Sequence, residues 1–306
     1  MILRAARHAL RQEMPRRVRR FEAVADAELS LVSGPNGAAV VSWDGSTVGR
    51  LRAGGSTLRP LVDAIDEAFL DGPHRERVRV RLQNFVDAAV RSALAPLFVV
   101  LGVDDPALRG VLYRIGEGLG LTAEGAVPAL RPRLEAVGVA AGRHAQFVPA
   151  ILRPKPNAMR ALLWGIANGV APPDLPPPGR VSFQPSERWP TEFAAVMGWI
   201  QAGPVWLRVD IAEKLSTELT AAAQNGPVSM PSGLATRLSL KAGLLPSVLR
   251  ALGFRLLPAP ALGAADYGPP SPPRIGVRRR QELPAAAAAQ VGVGGPFAAL
   301  GALRAQ

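Results

Sequence analysis

The stretch GRHAQFVPAILRPKPNAMRALLW, Gly142–Trp164, decides how the chain is read. Phe147-Val148-Pro149 is an extended piece, and Pro154 and Pro156 end it, because each proline fixes its φ and removes an amide donor. Asn157 then stands as an N-cap, its side-chain oxygen able to accept from a first-turn amide. Met159, Leu162, Leu163 and Ile166 follow at helical spacing and make one apolar face. Nothing here resembles a catalytic motif. A short extended piece running into a helix, without an internal repeat, predicts an α+β chain. It is predominantly helical with short β-hairpins, not a doubly wound sheet.

Upstream the same pattern holds. Residues 1–27 carry Leu3, Ala6, Leu10, Met14, Val18 and Phe21 at helical spacing, with a break or kink expected at Pro15. Seven arginines fall in the first twenty residues. This start has the arginine content of a transit peptide but no serine, so it reads more simply as a basic helical arm. Val40–Trp43 and Val48–Leu51 are β-type runs around Asp44-Gly45, a hairpin signal. In DGPHRERVRVRLQNFVDAAVRSAL, Pro73 suits a first helical turn. Val78, Leu82, Phe85, Val86, Ala89, Val90 and Leu94 then form an apolar face. Asp105-Pro106 starts a further helix with Leu108, Leu112, Ile115 and Leu119 inward.

Downstream, seven prolines between residues 168 and 190 mark a linker. Val205, Leu207 and Val209 alternate as a strand. Asp210 and Glu213 look like a capping box for the helix carrying Ile211, Leu215 and Leu219. TRLSLKAGLLPSVLRALGF gives two short helices ending at Gly253, a natural position just past a helix end. The segments are thus a basic arm (1–27), a helical region with a β-hairpin (28–167), a Pro-rich linker (168–190), a small α/β module (191–257) and a tail (258–306). The Pro, Gly and Ala content of the tail predicts disorder. Trp43, Phe85, Phe147, Trp164 and Leu215 are the expected core.

Composition narrows the function. The chain has 306 residues, 48% of them hydrophobic, and no cysteine. Disulfides, thiolate nucleophiles and Cys-ligated zinc are therefore excluded. His8, His74 and His144 lie far apart, so no metal or cofactor is expected and a Ser–His–Asp set has little to draw on. No Gly-x-x-x-x-Gly-Lys-Ser/Thr loop is present, and Gly116-x-Gly118-x-Gly120 closes a helix rather than opening one after a strand. The acids Asp104-Asp105 and Asp63/Asp66/Glu67 sit at helix starts or solvated faces, not as a shielded dyad. No apolar run reaches the roughly 20 residues of a membrane span, so a cytoplasmic chain with no membrane partner is expected. Net charge is +12, and of the 36 basic residues only Lys155, Lys214 and Lys241 are lysine. Arginine pairs bidentately with phosphate and stacks on bases, which points to a polyanion partner.

Seven pieces carry a resemblance: RAARHALRQEMPRRVRRFE, WDGSTVGRLRAG, RERVRVRLQNFVDAAVRSALAPLF, GVAAGRHAQFVPAILRPKPNAMRALLW, GRVSFQP, VWLRVDIAEKL and SVLRALGFR. In order and spacing, over roughly residues 4–257, they resemble the C-terminal part of alphaproteobacterial helicases related to the RNA helicase of the mitochondrial degradosome. The resemblance implies a superfamily-two-type accessory region that packs against a helicase core and guides RNA. Two family pairs are replaced, by Ala140-Ala141 and His144-Ala145, so any polar role of that block is not carried over. The family's ATPase core lies upstream of the matched region. The chain is thus expected to be a fragment or split product that does not hydrolyse ATP alone.

The expected partner is single-stranded nucleic acid, RNA above DNA, with a separate helicase core or a degradation-complex protein as a second partner. Candidate contacts are Arg16, Arg17, Arg19 and Arg20, which form one local patch, and Arg75 and Arg79 in the Arg75–Arg81 run. The simpler reading of that run is snorkelling stems beside a core helix. Two other functions compete. One is a DNA-binding helix-turn-helix, whose second helix offers only Ser247 and Arg250 to bases. The other is a structural or partner-docking protein whose charge serves solubility.

Overall fold

The structure, a computed structural model, describes residues 2–34, 38–65, 71–185, 189–259, 263 and 271–277. It is predominantly helical with small antiparallel sheets, the α+β class expected. Among the described residues no single helix is long and apolar enough to cross a membrane. Two compact units share the chain: residues 1–218 with 231–252, and residues 219–230 with 253–306. These bounds differ from the five segments drawn from composition, because the linker and the basic arm both pack into the first unit.

Helix α1 (Ile2–Glu22) runs through Pro15 without interruption, so the expected break does not occur. Only one amide is lost there, and α1 buries Val18 and Phe21 regardless. Strands β1 (Leu29–Ser33), β2 (Ala39–Trp43), β3 (Ser46–Ser56) and β4 (Arg59–Ala64) form an antiparallel sheet in chain order. The hairpin at Asp44-Gly45 is as expected. Both residues have positive φ, +49° and +73°, the conformation of a two-residue turn matched to strand twist. Helix α2 (Gly72–Ala93) starts with Asp71 accepting from the His74 amide at 3.0 Å, and Pro73 lies in its first turn. It lays Leu82, Phe85, Val86 and Val90 into the core shared with Val41, Leu51 and Val62 of the sheet.

Helices α3 (Ala95–Leu101) and α4 (Arg109–Glu117) follow, then β5 (Leu121–Thr122), α5 (Arg131–Ala136), β6 (Ala140–Ala141) and β7 (Gln146–Phe147). β7 is central in the sheet β5-β7-β6, pairing Phe147 with both Leu121 and Ala140. The extended reading of Phe147 is therefore correct, and the residue is buried. Helix α6 (Pro154–Asn168) begins earlier than expected. Arg153 is its N-cap residue, and Asn157 lies inside the first turns. The two prolines open the helix, since proline suits positions where amides have no helical acceptor.

Strand β8 (Ser182–Phe183), helix α7 (Thr191–Val196) and strands β9 (Trp199–Ala202) and β10 (Val205–Arg208) make the sheet β8-β10-β9. Trp164, Phe183, Trp189, Phe193 and Trp199 pack there edge to face, with centroids 4.7–6.4 Å apart. The Pro-rich segment is fixed beside this cluster: Leu175 packs on it, and the Trp189 indole N–H donates to the Asp174 carbonyl at 3.1 Å. Helices α8 (Val209–Ala222), α9 (Leu234–Arg237) and α10 (Leu245–Ala251) complete the elements that contribute to the first unit. Of the expected core, Phe85, Phe147 and Leu215 are buried, while Trp43 and Trp164 are half-buried.

In the second unit, β11 (Val228–Ser229), β12 (Phe254–Leu257) and β13 (Arg274–Val277) form the sheet β11-β13-β12. Tail disorder from residue 258 is therefore corrected at 274–277. This strand supplies both neighbours with backbone partners and buries Ile275 beyond solvent reach. A truncation at Pro258 would remove the central strand of this sheet. Residues 260–262, 264–270 and 278–306 of the expected tail lie outside the described residues.

Candidate nucleic-acid interface

At about 100° per residue, Arg16, Arg19 and Arg20 share an arc of about 100° on α1, with Arg17 about 60° beyond Arg20. Val18 and Phe21 point the other way and are buried. The last turns of α1 are thus amphipathic, with core residues on one side and guanidinium groups on the other. All four arginines are exposed. The one carboxylate paired to them among the described residues is Glu13, 3.9 Å from Arg16 and itself partly exposed. Such a pair contributes little in water. Arg20 also stands over the half-buried Trp43, its guanidinium carbon 6.0 Å from the ring centroid. Trp43 meets the edge-to-face ring of Phe21 at 5.3 Å.

The Arg75–Arg81 run is arranged differently. Arg77 donates Nε to Glu22 at 2.7 Å and a second N–H to the other carboxylate oxygen. Arg79 donates to both oxygens of Glu76, at 2.8 and 2.6 Å. Arg81 donates to the Val24 carbonyl at 2.6 Å and to Asp26 at 2.7 Å. Hydrogen bonding from Arg77 holds the Glu22 carboxyl below the usual range, and Arg79 does the same to Glu76. Arg77 and Arg81 therefore tie the end of α1 to α2, with positive charge where α1 leaves its carbonyls unpaired. Arg75 is exposed, and its amide bonds to the Asp71 carbonyl. The six expected contact residues thus divide: four on the open face of α1, two on a helix whose neighbouring arginines are tied to carboxylates.

Two polar arrangements that the sequence reading missed lie elsewhere in the first unit. The Glu213 carboxylate accepts three consecutive amides, from Arg143 at 2.8 Å, His144 at 2.6 Å and Ala145 at 2.8 Å. It is therefore not the capping-box acid expected. Asp210 likewise pairs with Arg208 through two hydrogen bonds, at 2.6 and 2.9 Å. Gly142 permits the seat, since a Cβ there would come within 2.1 Å of the Glu213 carboxyl carbon. The signal was Gly-Arg-His-Ala itself, a short turn able to turn successive amides one way.

His144 Nε2 lies 2.9 Å from Ser216 Oγ. Burial pushes its imidazole pKa down, against the nearby Glu213 charge. A serine, a histidine and a glutamate are thus together, yet Ser216 is 2% exposed and Glu213 binds backbone rather than imidazole. A nucleophile must reach its substrate and its base must be oriented by the third group, so this set fastens α8 to the β6–β7 turn.

Arg160 is the other surprise. It is fully buried, donating Nε to the Leu119 carbonyl at 2.7 Å, one amine to Asn157 at 3.0 Å and the other to the Val196 carbonyl. The Val196 carbonyl is the last of α7 and the Leu119 carbonyl lies two residues past the end of α4, both near helix C-termini where the field favours a cation. Burial lowers its pKa to about 9, still high enough to keep it charged at neutral pH. Among the described residues no group of three or more His, Cys, Asp or Glu could hold a metal ion. No protein-family model, curated protein or solved structure matches the chain.

Proposed function

We propose that the chain binds single-stranded RNA through the outward arginine face of α1, as a cytoplasmic accessory region working with a superfamily-two-type helicase core or a degradation-complex partner. The observation that carries this reading is the α1 face itself: Arg16, Arg17, Arg19 and Arg20 exposed, with Glu13 their one paired carboxylate among the described residues. In a chain of net charge +12, Arg77, Arg79 and Arg81 are paired with carboxylates while the α1 arginines stay exposed, which favours a polyanion at α1. Phosphates fit it, because guanidinium groups donate in pairs to phosphate oxygens.

The resemblance described above supplies the helicase context, and no nucleotide hydrolysis is proposed for this chain alone. The helix-turn-helix alternative finds less support. Val248 and Leu249 of α10 are fully buried, and of the two residues it could offer to bases only Arg250 is exposed.

The test is binding of a labelled 12-nucleotide RNA across a salt series. Affinity should fall as salt rises, with a log–log slope of about −0.7 per phosphate neutralised. Absence of binding at the lowest salt, or binding indifferent to salt, would overturn the reading.

A further inference from the structure

We infer that Trp43 and Arg20 form a base-stacking step, so that the RNA site proposed above holds a nucleobase as well as phosphates; this rests on that reading. Phosphate contacts alone would need only the α1 arginines. Beside them stands the one aromatic ring among the described residues that has an arginine of α1 over it. Trp43 ends β2 at the Asp44-Gly45 turn and is half-buried, with Phe21 packed against it edge-on. The ring is thus fixed from below by the core and reaches the surface next to the arginine face.

The spacing suits a ligand. Arg20 lies 6.0 Å from the Trp43 centroid, loose for a direct stack. A base inserted between the two planes needs two stacking steps of about 3.4 Å. Arg20 is exposed, so its guanidinium can rise by the missing ångström or so at little strain. A base held there would gain the aromatic face below and a planar cation above, and neither contact discriminates among bases. Asp44, next in the chain, is an exposed carboxylate that disfavours a phosphate at the hairpin tip. The backbone would therefore run along α1, with one base turned toward Trp43.

The experiment compares a 12-nucleotide oligouridylate with an abasic oligomer of the same length and phosphate number. The full-length protein should bind the base-bearing strand on the order of ten-fold more tightly, with the same salt slope for both. Trp43→Leu should erase that preference and keep the slope. Trp43→Phe should retain most of it. Arg20→Lys, which keeps charge but loses the planar group, should reduce the preference without flattening the slope. Equal binding of both strands by the unmodified protein overturns the stacking step while leaving phosphate binding intact. That comparison needs no variant, so poor folding of Trp43→Leu would not rescue the idea. A preference that survives in a folded Trp43→Leu protein overturns it as well. Binding of neither strand removes the RNA reading itself.

Discussion

From Arg16 to Arg20 four residues of five are arginine, and from Arg75 to Arg81 every second residue is. In sequence the two runs look alike. In the fold, Arg77, Arg79 and Arg81 each end on a carboxylate, two of them supplied by residues more than fifty positions away. The first run is exposed, with only Glu13 near Arg16 and the Trp43 ring beneath Arg20 among the described residues. The difference lies in the acids that the fold brings to each run. Glu22 and Asp26 follow the first run closely in the chain, yet they face α2 and pair with Arg77 and Arg81 of the second run. Arg160 extends the same contrast inward, as a cation held with helix-end carbonyls in place of a carboxylate.

Arginines turned inward should therefore govern stability, and those turned outward binding. The largest stability effect is expected for Arg160→Ala. It leaves the Leu119 and Val196 carbonyls without their donor and opens a cavity, a loss of about 3–5 kcal/mol by denaturant unfolding. A loss under about 0.5 kcal/mol would mean that water replaces the guanidinium without strain. Glu213→Ala should come next. Three amides lose an anionic acceptor, at a cost of about 2–3 kcal/mol. Arg81→Gln should lose about 1 kcal/mol, since its bond to the Val24 carbonyl is partly shielded and its bond to Asp26 is exposed.

The smallest stability effect depends on pH. Burial holds the His144 imidazole below its ordinary value, so the folded protein keeps it neutral while the unfolded chain protonates near pH 6.5. Below about pH 6.5 the unfolded state binds more protons, and stability must fall until the folded value is reached. Above it, His144 contributes no slope. Comparing thermal midpoints of the unmodified protein and His144→Gln from pH 7.5 down to pH 5 checks this. The variant should lose part of the acid-side decline, and parallel curves would show His144 to be solvated.

Much of this fold was legible because it is written locally. The Asp44-Gly45 turn, the proline in the first turn of α2 and the apolar face from Leu82 to Val90 all follow from residues within a few positions of one another. Partners fixed only by tertiary packing were not legible. Glu213 reads as a capping acid by its spacing from Asp210, and only the approach of residues 143–145 makes it an acceptor for three amides. Arg160 sits on an apolar helix face, where a cation reads as exposed or snorkelling. Its acceptors come from residues 41 and 36 positions away. Strand β13 follows a Pro-rich run, and its pairing with β12 reaches back about twenty residues. For the proposed interface, the arginines were visible in sequence, but Trp43 read as core, because its place beside Arg20 is a tertiary contact.

If the exposed α1 arginines bind RNA and the paired arginines of α2 hold the fold, one measurement separates the two runs directly. Arg16, Arg17, Arg19 and Arg20 are changed together to Gln in one protein, and Arg75, Arg77, Arg79 and Arg81 in another, so each loses the same formal charge. Single-stranded RNA binding is then followed across a salt series for both and for the unmodified chain. The first change should flatten the log affinity against log salt slope by up to roughly 3 units, four phosphates at about 0.7 each. It should weaken binding alike for different sequences, since phosphate contacts carry no base information. The second should leave the slope nearly unchanged while lowering the thermal midpoint. Equal flattening by both variants, or none from the first, would contradict the account.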